Sequence, residues 1–157
     1  MTCPGGSVVV RDPANDCEFE ECPNAVSVSA RLDYAFFPGT TLREPTDEEY
    51  VGLAVQTSRF YADTLRITFS NLATAVTVRT SDQFIPGNTN PVIVNFNAIV
   101  FFNAGTALPS ENDIVTAMVA ADYDAYVSNY VRNSQPIGTS IFFDTLRATL
   151  VVAVPLI

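Results

Sequence analysis

The chain has 157 residues and a net charge of −9; 48% of its residues are hydrophobic and only 16% are charged. This length is typical of a single domain with a sizeable core. With no Lys and only eight Arg, the chain lacks the clustered basic surface that nucleic acids and anionic membrane surfaces require. No apolar run approaches the roughly 18 residues of a membrane span. We therefore predict no nucleic-acid partner and no direct membrane span.

Two residue types on which most enzymes depend are absent. Without His there is no ordinary Ser-His or Cys-His pair and no imidazole metal ligand. Without Lys there is no Schiff base and no P-loop. We therefore predict a protein that is not an enzyme and has no cofactor. An enzyme that works through carboxylates, Tyr or Arg is the less favoured alternative.

Residues 1–24 form an acidic, loop-rich lead-in segment that contains all three cysteines of the chain. The grouping of Cys3, Cys17 and Cys22 in a core-poor segment suggests disulfides and an oxidising compartment. We therefore predict a secreted protein or one in an organelle lumen. The odd count leaves one thiol unpaired, bonded to another chain or paired with a cysteine elsewhere. Three reduced cysteines in a cytosolic protein are the alternative.

The lead-in also gathers oxygen ligands of the kind that Ca²⁺ prefers. These residues are Asp12, Asn15, Asp16, Glu18, Glu20 and Glu21. Their spacing matches no EF-hand loop, so a solvated acidic turn is the simpler interpretation. Ca²⁺ binding is the alternative.

Two later segments, 26–36 and 92–100, alternate between apolar and polar residues, which predicts strands that are covered on one face. Arg31, Asp33 and Asn97 are among the residues expected on the polar face. The residues expected to face the core are Val26, Val28, Ala30, Leu32, Tyr34, Phe36, Val92, Val94, Phe96, Ala98 and Val100. A sheet with one polar face favours antiparallel pairing.

The chain contains an internal pseudo-duplication: Phe36–Thr40 and Phe101–Thr106 share Phe-Phe and Gly-Thr, and each follows a strand and precedes a helix. Residues 46–49 and 110–113 then place a hydroxyl three residues before a carboxylate, the spacing of a capping box. We predict helices near 46–66 and 110–131. What recurs is a strand end, a turn and a helix start, which are folding signals rather than catalytic groups.

The remaining elements complete a β-α-β-β-α-β order. Ala75–Ser81 is the predicted second strand, a turn at 86–91 leads into the third, and the last strand is expected near 139–152. The expected fold is α+β, a ferredoxin-like sandwich with a four-stranded antiparallel sheet and two helices on one face. It occupies residues 25–152 and is followed by an apolar tail at 153–157.

This order, together with the hairpin at Pro86-Gly87 and the Val-rich strand after it, resembles the SEA domains of extracellular mucin-like and adhesive proteins. The resemblance implies a SEA-like module. In many SEA domains a Gly–Ser bond in this hairpin cleaves itself. Here Asn88 stands in place of the Ser, so no self-cleavage is expected. A literal Gly-Ser-Val-Val-Val occurs at residues 6–10, in the lead-in, where we interpret it as chance.

Arg31 and Asp33 on the polar sheet face are a candidate ligand site, with a cross-strand polar network as the alternative. Asp122 and Asp124 are two residues apart on a predicted helix and cannot share a face, so no catalytic carboxylate pair is expected.

Two apolar segments at the ends of the fold indicate assembly. The possible contact residues are Ser7, Val8, Val9, Val10, Val154, Leu156 and Ile157. Such segments can pair with a sheet edge or pack on a partner; packing on their own domain is the alternative. We predict a non-catalytic structural, adhesion or assembly module with protein partners, part of a homo- or hetero-oligomeric fibre, matrix or membrane-associated complex. The alternative is an extracellular module that binds a ligand or Ca²⁺.

Overall fold

A computed structural model gives the fold of the chain. It describes residues 8, 10–14, 18–19, 24–36, 42–132 and 153–156. Within the lead-in, two very short strands, β1 (Arg11–Asp12) and β2 (Glu18–Phe19), pair antiparallel.

The body of the fold is an antiparallel sheet of three long strands. These are β3 (Asn24–Tyr34), β4 (Leu72–Phe84) and β5 (Val92–Phe102), with β5 in the centre. A four-residue strand, β6 (Ala153–Leu156), pairs antiparallel with β3, so the strand order is β4-β5-β3-β6. Pro155 fits this edge position because an edge strand can spare the missing N–H group.

One face of the sheet carries the hydrophobic core, as the alternation predicts. The inward residues of β3 and β5 lie in register, with Ala30 opposite Phe96 and Leu32 opposite Val94. Leu32, Val94 and Phe96 are completely buried. The core-facing assignment of both alternating segments is therefore confirmed for these residues.

The first helix, α1 (Asp47–Thr68), covers this core and begins with the predicted capping box. The Thr46 hydroxyl accepts from the Glu49 N–H at 3.2 Å, and the Glu49 carboxylate accepts from the Thr46 N–H at 3.0 Å. Arg43 donates two further hydrogen bonds to Glu49, at 2.6 and 2.9 Å. Glu49 is thus buried with its charge neutralised.

The second helical stretch is not continuous. It begins with the predicted capping box of Ser110 and Asp113, but α2 (Glu111–Val119) lasts only nine residues. After a break, Asp122 accepts from the Ala125 N–H at 3.0 Å and starts a short helix, α3 (Tyr123–Ala125). A π-helical segment, Tyr126–Val131, follows directly.

The α+β class and the antiparallel pairing are confirmed, but the ferredoxin-like or SEA-like sandwich of four strands and two helices is wrong. The sheet has three long strands, to which β6 adds only four residues at one edge, and three helices are present in the described part of the chain. The predicted helix over 110–131 divides because Asp122 caps a new helix. The predicted last strand, 139–152, lies outside the described residues, whereas β6 forms within the segment predicted to be a tail.

The turn after β5 needs a glycine. Gly105 has φ +75°, a left-handed conformation that side chains disfavour. Next to it, the Thr106 hydroxyl donates to the Asn103 carbonyl at 2.6 Å and accepts from the Asn71 amide at 3.1 Å. This turn therefore holds the end of β5 against the loop before β4.

Candidate functional site

The face of the sheet opposite the core, which we call the open face, bears no helix in the described part of the chain. On it, Ser29 of β3, Asn97 of β5 and Val78 of β4 form one cross-strand row, and Ser27, Ile99 and Val76 form the next. By the same register, Val154 and Leu156 of β6 lie beside Arg31 and Ser29. The open face is thus a regular surface to which all three long strands contribute.

The centre of the open face is aliphatic. Val76 and Val78 are 41% and 49% exposed, and Ile99 beside them is half-buried. Hydrophobic alternation alone places valines inward, yet Ala75 and Thr77 occupy the buried positions of β4. Sequence reasoning missed these residues because the strand is more apolar on its outer face than on its inner one.

The polar side chains on the open face bond to one another. Ser29 bonds the Asn97 amide oxygen at 3.0 Å, and the Asn95 amide donates to the Ser81 hydroxyl at 2.9 Å. Thr80, the additional residue at a β-bulge, donates to the Asn95 carbonyl at 3.0 Å. These groups have partners before any molecule docks, so burying them costs less than burying unpaired groups.

Arg31 and Asp33, the predicted ligand site, form a closed pair. The guanidinium donates two hydrogen bonds to the carboxylate, at 2.7 and 2.8 Å. These hydrogen bonds and the charge of Asp33 raise the pKa of Arg31. The pair belongs to a single strand and is not the cross-strand network given as the alternative. Its two charges already compensate each other, so the open face carries little net charge here.

Charge is distributed unevenly between the two layers of the fold. Strands β3, β4 and β5 contain two Arg and two Asp, for a net charge of zero. Residues 47–68 and 111–132, which contain the helices, hold eight acidic residues against three Arg, for a net charge of −5. The sheet is neutral, and the acidic charge of the described fold lies mainly in the helical layer.

A second candidate site is a cluster of tyrosines between α1 and the π-helical segment. The Thr57 hydroxyl donates to the Leu53 carbonyl at 2.6 Å, so it accepts from the Tyr126 hydroxyl at 2.9 Å. Tyr126 then has no proton left for Tyr34, which must donate to it at 2.9 Å. The direction of this hydrogen-bonded chain is fixed by its last acceptor, a carbonyl.

A second hydrogen-bonded chain also contacts the Phe60 ring. Tyr123 donates to the Met118 carbonyl at 2.7 Å, and Tyr61 therefore donates to Tyr123 at 3.0 Å. Phe60 packs against Tyr61, Tyr123, Tyr126 and Tyr130 with ring centroids 5.1–5.5 Å apart. The sequence contains a signal for this cluster, the helical spacing of Tyr123, Tyr126 and Tyr130. The sequence-based prediction did not include it.

The tyrosine cluster stabilises the fold and is poorly suited to acid–base chemistry. Burial raises the pKa of Tyr126 to about 12 and raises the pKa of Tyr34 and Tyr61 well above the ordinary value. Their hydroxyls stay protonated near neutral pH and are engaged with fixed acceptors. A general base needs a pKa near the working pH.

A third cluster surrounds Arg79 at the end of β4. Its guanidinium lies 4.7 Å from the centroid of the Tyr50 ring and pairs with Asp82 at 3.0 Å and Asp47 at 3.5 Å. The Tyr50 hydroxyl is buried close to Asp82. Burial, followed by the charge of Asp82, raises the pKa of Tyr50. This cluster joins α1 to the sheet.

The free edge of β4 is partly closed by α1. The Ser58 hydroxyl accepts from the Thr77 N–H at 2.7 Å and donates its proton to the Ala54 carbonyl of α1 at 2.9 Å. Arg66 donates to the Ala73 carbonyl at 3.3 Å. Side chains thus occupy backbone groups that an added strand would need.

The predicted assembly residues fall into three groups. Val8 and Val10 are 70% and 63% exposed. Val154 and Leu156 belong to β6, which pairs with β3 of the same chain. Ser7, Val9, Ile157 and the predicted disulfide residues Cys3, Cys17 and Cys22 lie outside the described residues.

Of the predicted Ca²⁺ ligands, Asp12 lies in β1 and Glu18 in β2, while Asn15, Asp16, Glu20 and Glu21 lie outside the described residues. Within the part of the chain that the structure covers, no three His, Cys, Asp or Glu side chains are grouped to hold a metal. We predicted that Asp122 and Asp124 do not form a catalytic pair. In the structure Asp122 is the N-cap of α3, and Asp124 lies within that helix.

Two backbone hydrogen bonds close the turn of the β4–β5 hairpin. Asn88 donates its N–H to the Ile85 carbonyl at 3.0 Å, and Ile85 donates to the Pro91 carbonyl at 2.7 Å. Gly87 does not adopt the left-handed conformation. The absence of self-cleavage at Asn88 stays a prediction.

Comparisons with protein families, curated proteins and solved structures give no match for this chain. No comparison bears on the resemblance to SEA domains, so it stays a prediction, without the sandwich of four strands and two helices that the fold contradicts. Among the described residues, no helix combines the length and apolarity needed to cross a membrane.

Proposed function

We propose that the chain is a non-catalytic structural or adhesion module that binds a protein partner through the open face. In this proposal it is a subunit of a larger fibre, matrix or membrane-associated complex. One observation carries it: the open face presents exposed aliphatic side chains, Val76 and Val78, within a frame of polar groups that already bond one another.

The chemistry of the open face favours a protein surface over a small charged ligand. Its side chains are aliphatic, hydroxyl and amide groups, and its Arg31–Asp33 pair is internally neutralised. An aliphatic centre with a polar rim is the usual composition of a protein interface. A charged ligand instead needs an unpaired group of opposite charge.

The extracellular or luminal location is part of the same proposal and rests on the lead-in. Three cysteines within 22 residues are typical of chains that fold in an oxidising compartment. The proposed location is tested by labelling the thiols of the chain purified from its source, with and without prior reduction, and measuring its mass. Three freely labelled thiols in the native protein would remove this support.

The binding proposal is tested in cells of the source organism by comparing two Val→Arg variants. Val78→Arg places a charge on the open face, and Val51→Arg places the same charge on the solvent side of α1, at a valine of similar exposure, 58%. We expect the wild-type chain and Val51→Arg to sediment with a large assembly and Val78→Arg to be released. Equal behaviour of both variants, with circular dichroism showing both folded, would reject the open face as the binding site.

A further inference from the structure

We infer that the partner of the open face is the open face of a second copy of this chain. The inference rests on the proposed function and adds the identity of the partner. It is carried by the neutral charge of the sheet, the pairing of its polar groups and the closure of the β4 edge.

Charge decides which surfaces of two copies can meet. Two copies of a chain with a net charge of −9 repel each other. The helical layers, at −5 each over the described residues, cannot approach without bringing like charges together. The neutral sheets can approach each other without this repulsion. Stacked sheets lie about 10 Å apart, and each sheet then separates its own acidic helices from the interface by more than a Debye length of ~8 Å.

Desolvation favours the same arrangement. When two open faces meet, Val76, Val78 and Ile99 leave water. Ser29, Asn97, Asn95 and Ser81 keep the hydrogen bonds that they already make within each copy. Arg31 also enters with its charge compensated by Asp33. Each of these polar groups thus keeps one hydrogen bond in the interface, so apolar burial is gained at a lower desolvation cost than unbonded groups would impose.

The alternative of joining two copies strand to strand is obstructed at β4. Ser58 occupies the N–H group of Thr77, and Arg66 occupies the carbonyl of Ala73. An incoming strand would have to displace α1 side chains along this edge. Packing face to face requires no such displacement.

The size of the face sets the strength of the contact. Three strands spaced ~4.8 Å apart, each rising ~3.4 Å per residue over eleven residues, cover at most roughly 500 Å², and Ile93 near one end of the face is already buried. Two faces therefore bury at most roughly 1,000 Å², the lower limit for a specific interface. We expect a reversible dimer in the micromolar range or weaker, which forms when chains are concentrated or tethered in an assembly.

Sedimentation equilibrium of the purified chain over a concentration series tests the inference. We expect a monomer–dimer equilibrium that Val78→Arg weakens by at least about tenfold, because a two-fold interface contains the substitution twice. Val51→Arg, on the helical layer, should leave it unchanged. Raising the salt concentration should strengthen association slightly by screening the net charge. A dimer weakened by Val51→Arg would place the contact on the helical layer, and one weakened by salt would depend on attraction between opposite charges rather than on the neutral sheet. Either result would overturn the inference.

A photo-crosslinking residue at position 78 identifies what covers the open face. Adducts of dimer mass that join position 78 to β3, β4 or β5 of the other copy support the inference. Adducts within one chain would show that the chain covers its own sheet, and would overturn it. A purified chain that remains monomeric also overturns it. In that case, release of Val78→Arg from the assembly in source cells would preserve the proposed function with a different protein as partner, and retention would reject both.

Discussion

The two faces of one sheet differ in how completely their residues are committed to the fold. On the core face, Phe96 and Leu32 are completely buried beneath the helices. On the open face, the adjacent residues Asn97 and Arg31 are exposed and half-exposed, and they bond to neighbouring side chains. The backbone hydrogen bonds are shared by both faces. Stability therefore depends on the core face, which leaves the open face able to accept substitutions and partners.

The polar groups of the two faces differ in the same way. The hydroxyls of Tyr34, Tyr126 and Thr57 lie out of contact with water, and each has a defined partner. The hydroxyl of Ser29 bonds at a surface where water can replace Asn97. Loss of a partner is therefore expensive beneath the helices and inexpensive on the open face.

We expect alkaline pH to unfold the protein through the buried tyrosines. Below pH ~10 these groups are protonated in both the folded and the unfolded chain and add no pH dependence. Above it the unfolded chain loses protons first, so stability falls as the pH rises toward the folded pKa, about 12 for Tyr126. At ~1.4 kcal/mol per pKa unit, Tyr126 alone accounts for about 2–3 kcal/mol.

Absorbance of tyrosinate and circular dichroism, followed together during an alkaline titration, check this expectation. The buried tyrosines should ionise in the same cooperative step in which the helices unfold. Titration of all six tyrosines near pH ~10 with unchanged circular dichroism would contradict the burial of the cluster.

A pair of adjacent substitutions measures the difference between the faces directly. Phe96→Ala should lower the free energy of unfolding by about 3–5 kcal/mol because it opens a cavity in the core. Asn97→Ala should change it by no more than about 0.5 kcal/mol, as is usual at the surface. Urea denaturation of both variants gives the two values. Similar losses for the two residues would mean that the open face is also packed.

The tyrosine cluster gives a second matched pair. Tyr126→Phe leaves the buried hydroxyl of Tyr34 without its acceptor and should cost about 1–3 kcal/mol. Tyr130→Phe removes only an exposed bond to Asp63, 2.8 Å long, and should cost at most about 1 kcal/mol because water replaces the partner. Urea denaturation at neutral pH compares them. A larger loss for Tyr130→Phe would contradict the proposed hydrogen-bonded chain.

Local signals in the sequence predicted the local structure well. Alternation placed Leu32 and Phe96 in the core, and both capping boxes form as expected at Thr46 and Ser110. These features depend on residues two to four positions apart, so a single sequence contains the information. The antiparallel pairing followed from the one polar face of the strands.

The errors had two origins. Residues 110–131 have helical spacing throughout, and this pattern hid a local signal, the N-cap at Asp122 that starts a second helix. On β4, Val76 and Val78 face outward while the smaller Ala75 and the polar Thr77 are buried. The orientation of β4 is not visible without knowing which element packs on which. The open face was predicted as polar, and its aliphatic centre was not.

The smallest expected effects come from the helix caps, which hold the covering layer over one face only. Thr46→Ala should cost about 1–2 kcal/mol, since it also disturbs the buried, Arg43-paired Glu49. Ser110→Ala should cost about 0.5–1 kcal/mol because its partner Asp113 is exposed. Thr116→Ala, within α2, is the control and should be near neutral because Ala favours helix. Urea denaturation ranks the three variants. Equal losses of unfolding free energy for Ser110→Ala and Thr46→Ala would mean that burial of Glu49 does not strengthen the first cap. The two helix starts would then be equivalent in energy as well as in sequence.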